Sequence, residues 1–325
     1  MEFRKRSLES VGIMRVLIFG SSGFVGTNVT RNFIKNNEEV HVVLRDNSKI
    51  WKIRDIISDL VIHKGDLTSK NKIESILTSV SPDVVINCSG IVSGFNFYDQ
   101  EEVIQRNFIN TVNIVNACAK LNVYQFINTG SSLECGFSTT PIRGSRCFNP
   151  PVGLYGITKR AERQYIEMVA KSQDVKYITL RLFTAFGFFD SPMRLIPHVI
   201  LSLIRGEVPV IKNPLSSRDF ICMDDASKVY YLLSKKPELI EQSSVFNLGT
   251  GKIINVIDIV RYLYKIANLD YREPLMDIKE ISEYSYANRQ EVINHLSKFG
   301  LTFTPIKESL KRTYDWFNEN KNYYT

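Results

Sequence analysis

After a polar, basic stretch at residues 1–13, the chain settles into a regular alternation. Short β-branched runs at 16–19, 40–44, 60–63, 84–87, 125–129 and 177–183 are separated by stretches with apolar residues at helical spacing, 24–35, 71–80, 101–121 and 154–171. The short runs are mostly apolar without an alternating polar face, as suits strands covered on both faces. Strand–helix alternation of this length predicts an α/β fold on a doubly wound parallel sheet. It stops near Gly187. Beyond lie Pro192, Pro197, Pro209 and Pro214, with separate helical stretches at 195–205, 224–235, 256–267, 290–299 and 306–318. That half reads as a smaller α+β lobe. Residues 14–187 are expected to form the first domain and 188–325 the second. Residues 1–13 are expected to be a disordered extension.

Charge and cysteine usage remove several classes of function. The net charge is +7, from 41 Lys+Arg against 34 Asp+Glu, and apart from Arg4-Lys5-Arg6 the basic residues are dispersed. A dispersed excess suits small anionic ligands, whereas a nucleic-acid footprint is clustered. No apolar run approaches the roughly 18–20 residues of a membrane span. The first residues lack the apolar core of a secretory signal. The five cysteines have no metal-ligand spacing. The sequence therefore predicts no bound metal and free thiols in a reducing cytoplasm.

The first run leads into Gly20-Ser21-Ser22-Gly23-Phe24-Val25-Gly26, and a helix follows. Gly20 permits the tight turn, Gly23 lets backbone approach a pyrophosphate, and Gly26 lets helix pack on strand. The backbone from Ser22 to Gly26 then offers the N–H groups of a helix start to the phosphates. At the end of the second run an acid would bond an adenosine ribose 2′-OH, and an Arg would take a 2′-phosphate. Leu44 occupies the acid's place and Arg45 follows, which favours NADP(H). Asp46, one or two positions late, keeps NAD(H) open. Asp66 and Leu67 after the third run, and Cys88-Ser89-Gly90 after the fourth, are further candidates for the dinucleotide.

Tyr155 and Lys159 share one helix face at i and i+4. A free phenol titrates near 10 and an adjacent cation favours its phenolate, so the pair is a tunable acid/base. The fifth run ends in Ser131-Ser132, on the crevice side of a parallel sheet, where a hydroxyl could bond a carbonyl oxygen as charge develops. Ser131 is the first choice and Ser132 the alternative.

With these motifs in order, the chain resembles the extended short-chain dehydrogenase/reductases of the nucleotide-sugar epimerase/dehydratase/reductase kind, whose core is a Rossmann sheet. The resemblance runs from Met14 to Trp316 and includes Arg181-Leu182-Phe183, Arg218-Asp219-Phe220-Ile221 and Phe246-Asn247-Leu248-Gly249. It implies a catalytic set of Ser131, Tyr155 and Lys159, with Tyr155 and Lys159 also against the nicotinamide ribose. It implies Asn107 as support for Lys159, and Ser132, Thr184 and Arg218 on the substrate side. Arg218 would hold a nucleotide-sugar diphosphate, although an ion pair with Asp219 is an equal reading of the residues. It also implies a homodimer through helices 101–121 and 154–171.

Dehydratases of this kind carry Asp-Glu after the triad hydroxyl; here Ser132-Leu133 stands there and Glu134 comes one residue late. The ribose position argues against an epimerase. The expected activity is NADPH-dependent reduction of a nucleotide-diphospho-4-keto-6-deoxyhexose. The alternatives are an NAD-dependent nucleotide-sugar C4-epimerase and a non-catalytic dinucleotide-binding protein.

Overall fold

In β1 (Arg15–Phe19) side chains alternate between two covered layers: Val16 and Ile18 enter one core, Leu17 and Phe19 another, and all four are buried. The structure is a computed structural model describing residues 12–92, 99–144, 147–172, 175–237, 243–276, 284–285, 297 and 300–324. Residues 1–11, and most of the helical stretch expected at 290–299, lie outside the described residues.

β1 is followed by α1 (Phe24–Lys35), β2 (Glu39–Leu44), β3 (Leu60–Lys64), α2 (Lys70–Val80) and β4 (Val84–Asn87). The long helical stretch comes next as α3 (Gln100–Ile104) and α4 (Asn110–Lys120), joined by one π turn at Gln105–Ile109. Then come β5 (Gln125–Ser131), α5 (Gly153–Ala170) and β6 (Lys176–Leu182). The second half supplies β7 (Thr184–Phe186), α6 (Leu195–Ile204), β8 (Val210–Ile211), β9 (Ser217–Cys222) and α7 (Met223–Lys235). It ends with β10 (Ser243–Leu248), β11 (Ile253–Asn255), α8 (Val256–Ile266) and α9 (Ile306–Glu319).

The main sheet is parallel throughout, in the order β10-β6-β5-β4-β1-β2-β3. The strand order reverses between β1 and β4, which opens a crevice at their carboxyl ends. Residues of α1 and α7 share the core on one face; those of α2, α4 and α5 share the core on the other. This is the doubly wound α/β fold expected. The sequence reading lacked a seventh strand. β10 pairs with β6, and α7 packs on α1, where Tyr231 sets its ring edge-on to Phe33 at 5.5 Å and Lys235 meets Glu38 at 2.5 Å. Both segments come from the 188–325 stretch, so the chain leaves the sheet layer at Gly187 and returns to it. Residues between and after these returns build a second core, in which β7, β9 and β11 pair and α6, α8 and α9 pack together around Phe186, Val199, Phe220, Leu263 and Phe317.

The cysteines depart from expectation. Cys118 and Cys222 are buried thiols and Cys88 a half-buried one, but Cys135 and Cys147 form a disulfide across a separation of 12 residues. Free thiols were the default reading of an odd count without a pairing pattern; the fold brings together two cysteines whose spacing signals nothing. Among the described residues no helix is long and apolar enough to cross a membrane.

Two outcomes follow from this packing. A Cβ at Gly26 would stand 2.1 Å from the Gly20 carbonyl oxygen, so Gly26→Ala is expected to destabilise the protein by about 1–3 kcal/mol, read from denaturant midpoints. In denaturant without reductant, three thiols rather than five should react with a thiol reagent, and reduction should cost about 3 kcal/mol of stability.

Candidate active site

The glycine bend closes the strand-order reversal. Gly20 has φ +83°, and a Cβ there would come within 2.6 Å of the Cys88 carbonyl and the Ser89 nitrogen. Only glycine lets the β1 exit lie on the β4 exit, where Cys88 N–H also donates to the Phe19 carbonyl at 2.9 Å. Gly23 N–H donates to the Gly20 carbonyl at 3.0 Å, and Gly23 then starts α1 with neither a side-chain cap nor an acid in the first turn. Among the described residues, the helix start at Phe24 and Val25 therefore presents backbone donors and a positive dipole end with no side-chain cap answering them. Glycines where a Cβ would clash, together with this uncapped start, fit the pyrophosphate of a dinucleotide.

At the far end of the crevice, β2 ends with Leu44 buried in the core, so that position has no side chain facing outward. Arg45 is the first exposed residue beyond it. Arg45, Asp46, Asn47, Lys64, Asp66 and Lys72 line one cavity of about 650 Å³. Lys64 lies 3.6 Å from Asp46, both well exposed. The Asp66 carboxylate accepts Thr68 N–H at 2.9 Å, and that bond, aided by the charges of Arg45 and Arg106, holds its pKa below the usual carboxylate range. Asn113 fixes the neighbouring turn by donating to the Leu67 carbonyl.

α5 carries Tyr155 and Lys159, and its start is pinned to the β5 exit. Val152 N–H donates to the Leu133 carbonyl at 2.9 Å, and a Cβ at Gly156 would approach that same oxygen to 2.5 Å. Ser131 and Ser132 thus lie beside the first turn of α5. Ser131 Oγ accepts Leu133 N–H at 3.3 Å, a capping role that leaves the hydroxyl proton to donate elsewhere. Lys159 is buried, and its ammonium donates to the Thr129 carbonyl at 3.0 Å and to Glu162 Oε2 at 3.0 Å. It lies 5.9 Å from the Tyr155 ring centre, close to the Gly90 backbone. Asn107, in the π turn, bonds both the N–H and the carbonyl of Ile91 and donates to Thr158 Oγ1 at 3.2 Å. Its side chain therefore clamps the β4 exit loop to the residue preceding Lys159. Single π turns recur at functional sites, and here the extra residue turns Asn107 inward.

Of the residues expected to face a substrate, Thr184 opens β7 and Arg218 lies on β9, both half-buried. Strand alternation separates Arg218 from Asp219. The buried Asp219 carboxylate takes Thr250 N–H, Thr250 Oγ1–H and Gly251 N–H at 2.7–2.8 Å. Glu134 is fully buried, 2.6 Å from Arg181 and 3.2 Å from Arg163. Arg181 in turn donates to Asn247 and to the Gly144 carbonyl. Among the described residues, Glu134, Cys135 and Cys147 form the one cluster at metal-ligand spacing, and the disulfide and Arg181 already engage those atoms.

Sequence reasoning passed over the residues beneath Lys159. Asn128 donates to Glu162 Oε2 at 3.1 Å, and Asn87 donates to Asn128 Oδ1 at 2.9 Å and to Thr111 Oγ1 at 3.0 Å. Ser89 sends both its N–H and its hydroxyl back to Asn87 Oδ1. The available signals were Glu162 three residues beyond Lys159 on one helix face, and an Asn at the end of each of two adjacent apolar runs.

The sequence profile of the NAD dependent epimerase/dehydratase family matches residues 16–249. A trifunctional UDP-glucose 4,6-dehydratase/UDP-4-keto-6-deoxy-D-glucose 3,5-epimerase/UDP-4-keto-L-rhamnose-reductase of Arabidopsis thaliana is 23% identical over 324 residues, 95% of this chain and 48% of that protein. The chain thus spans about half the length of that plant relative. In structure it is similar to a dTDP-glucose 4,6-dehydratase of Bacillus anthracis in complex with NAD, with TM-score 0.84, 16% identity, and 95% of this chain and 98% of that one covered. It is also similar to a UDP-glucose 4-epimerase of Thermotoga maritima with UDP-glucose, with TM-score 0.81, 21% identity, and 95% and 100% covered. The glycine cradle, the parallel sheet and a profile match over most of the length agree: the chain belongs to the NAD-dependent epimerase/dehydratase family, in keeping with its resemblance to the extended short-chain dehydrogenases/reductases.

Proposed function

We propose that the chain is an NADPH-dependent reductase of a nucleotide-diphospho-4-keto-6-deoxyhexose, acting as a homodimer. The observation that supports this reading is the cavity beyond β2, where Arg45, Lys64 and Lys72 outnumber the carboxylates Asp46 and Asp66 on the wall and would suit a ribose 2′-phosphate. A cofactor that binds and leaves as NADPH suits net reduction. Glu134 supports the same reading by its position. Held between two guanidiniums, it is withdrawn from the proton transfers that dehydration of a hexose requires.

Bound in the glycine cradle, the nicotinamide would supply the hydride. The chain's own residues do the rest. Tyr155 gives its phenolic proton to the sugar O4, and Ser131 donates a hydrogen bond to that oxygen as it gains charge. Lys159, fixed by Thr129 and Glu162, holds a cation beside the phenol, and Asn107 keeps the β4 exit at the right distance. Arg218 takes the diphosphate, with Ser132 and Thr184 against the sugar. The exposed Ile157 and Met168 share one face of α5, which suits pairing with a second copy.

A second reading is an NAD-dependent C4-epimerase. Asp46 lines the same cavity as Arg45 and could take a ribose hydroxyl, and the Thermotoga maritima relative is a UDP-glucose 4-epimerase. Purified protein carrying one tightly held NAD per chain, interconverting C4 epimers without net oxidation, would select it.

The deciding assay follows NADPH against NADH absorbance with CDP-, dTDP-, GDP- and UDP-4-keto-6-deoxyhexoses. With the accepted sugar, Tyr155→Phe is expected to lower kcat by about 10²–10⁴-fold while NADPH affinity stays within about twofold. Unchanged turnover would remove Tyr155 from its role. Arg45→Ala should raise the KM for NADPH by about 10–100-fold and leave that for NADH nearly unchanged. Equal effects on both cofactors would exclude a 2′-phosphate contact.

A further inference from the structure

Lys159 and Glu162 form an ion pair at 3.0 Å in which both side chains are almost completely buried, at 4% and 0% exposure. Glu162 Oε2 takes both the Lys159 ammonium and the Asn128 amide, while Oε1 has no partner among the described residues. A surface pair at i and i+3 would contribute little, but here both charges lie in the layer between α5 and the sheet. The pair also adjoins the one phenol that the reaction uses.

The other ionisable groups around the pair come from five segments. Cys88, after β4, has its thiol pushed up to about 12 by burial. Tyr230, on α7, is a buried phenol bonded to Thr129 Oγ1 and raised well above its ordinary value. Glu134, on the turn after β5, is held by Arg181 of β6 and by Arg163 of α5. Cys88 and Tyr230 are neutral near pH 7, and the charge of Glu134 is already answered. Among the described residues, Glu162 is therefore the carboxylate that meets Lys159 directly.

A phenol beside an unanswered ammonium has its ionised form favoured. A carboxylate on that ammonium offsets its field. Burial pushes the Glu162 carboxyl up to about 7, against the pull of Lys159 and Asn128, so it is charged from about neutral pH upward.

We propose that Glu162 is a positioning residue that answers the charge of Lys159 and so keeps the Tyr155 hydroxyl protonated at neutral pH. The site is thereby an acid toward a ketone rather than a base toward an alcohol. The inference rests on Tyr155 being the proton donor, and it deepens the reductase reading, because reduction begins from the phenol and oxidation from the phenolate. Phenol, ammonium and carboxylate keep their atoms; the one proton transferred passes from the Tyr155 oxygen to the sugar oxygen and is replaced from water.

Glu162→Gln keeps the size and an acceptor for Lys159 while removing the charge. In the unliganded protein, phenolate absorbance measured as the difference from the matched Tyr155→Phe variant isolates this hydroxyl. Its titration midpoint should fall by about one pH unit in Glu162→Gln, and Glu162→Asp should restore part of the difference. With a ketone substrate, the alkaline limb of kcat should move down by the same amount, with KM little changed. An identical midpoint in wild type and Glu162→Gln overturns the proposal, whatever the substrate. Should Glu162→Gln fail to fold, the wild type decides: phenolate signal from Tyr155 already present at pH 7 overturns it, and its absence there supports it. A shifted midpoint without reduction of any keto-sugar keeps this inference and removes the reductase reading instead.

Discussion

A buried ammonium costs several kcal/mol unless partners replace its water, and the ends of three strands are arranged around that requirement. Lys159 finds a carbonyl on β5 and a carboxylate on its own helix. That carboxylate needs donors in turn, and Asn128 supplies one from β5, itself bonded to Asn87 on β4. Asn87 then holds Ser89 at the point where β4 leaves the sheet. Parallel register sets Asn87 directly opposite Asn128, so the relay is a consequence of strand pairing. Its far end is the loop against which Gly20 must turn. The glycine cradle and the Tyr155/Lys159 helix, far apart in sequence, are thereby joined by one set of hydrogen bonds.

A second buried network lies on the other side of the Ser131 and Tyr155 segment. Arg181, on β6, is fully buried and reaches Glu134, Asn247 on β10 and the Gly144 carbonyl in the loop before α5. Arg160, one residue beyond Lys159, donates to the Glu134 and Asn149 carbonyls at 2.7 and 2.5 Å. The Cys135–Cys147 bond ties the same loop to the β5 exit. Both ends of that loop are thus held by the core carrying Ser131 and Tyr155. β10 takes part because its Asn247 accepts from Arg181, which gives the return of the chain to the main sheet a role beyond covering its edge.

What the sequence revealed follows from which interactions are local. Runs buried on both faces declare themselves, and β1, β2 and β4 fall within one residue of expectation. Gly20, Gly23 and Gly26 were legible because their spacing is local, and at Gly20 and Gly26 backbone clash forbids other residues. Tyr155 and Lys159 were legible for the same reason. β10 was not: the segment around Phe246 was recognised as a motif, but a strand that joins a sheet across about sixty residues of intervening chain has no local mark. The disulfide was hidden likewise, since the approach of Cys147 to Cys135 depends on Arg181 and Arg160 folding the loop. Asn128 and Glu162 read as ordinary polar residues, and only the burial of Lys159 gives them meaning. The 101–121 helix was seen as continuous because a π turn changes the hydrogen-bond register without changing composition.

The same reasoning separates the chemistries this family runs on one scaffold. Oxidation and reduction use the same phenol and differ in the protonation state from which it starts. An enzyme whose cofactor arrives reduced needs the hydroxyl loaded; one that must first oxidise its substrate needs it empty. The glycine cradle is indifferent to that choice, since a dinucleotide bears the same phosphates in either redox state. Lys159 alone leans toward the empty phenol, because a cation favours the anion beside it. Glu162 leans the other way and acts from beneath, where it blocks neither cofactor nor sugar. Reaction direction can therefore be encoded one layer below the surface that touches substrate, in a side chain that a catalogue of catalytic motifs passes over.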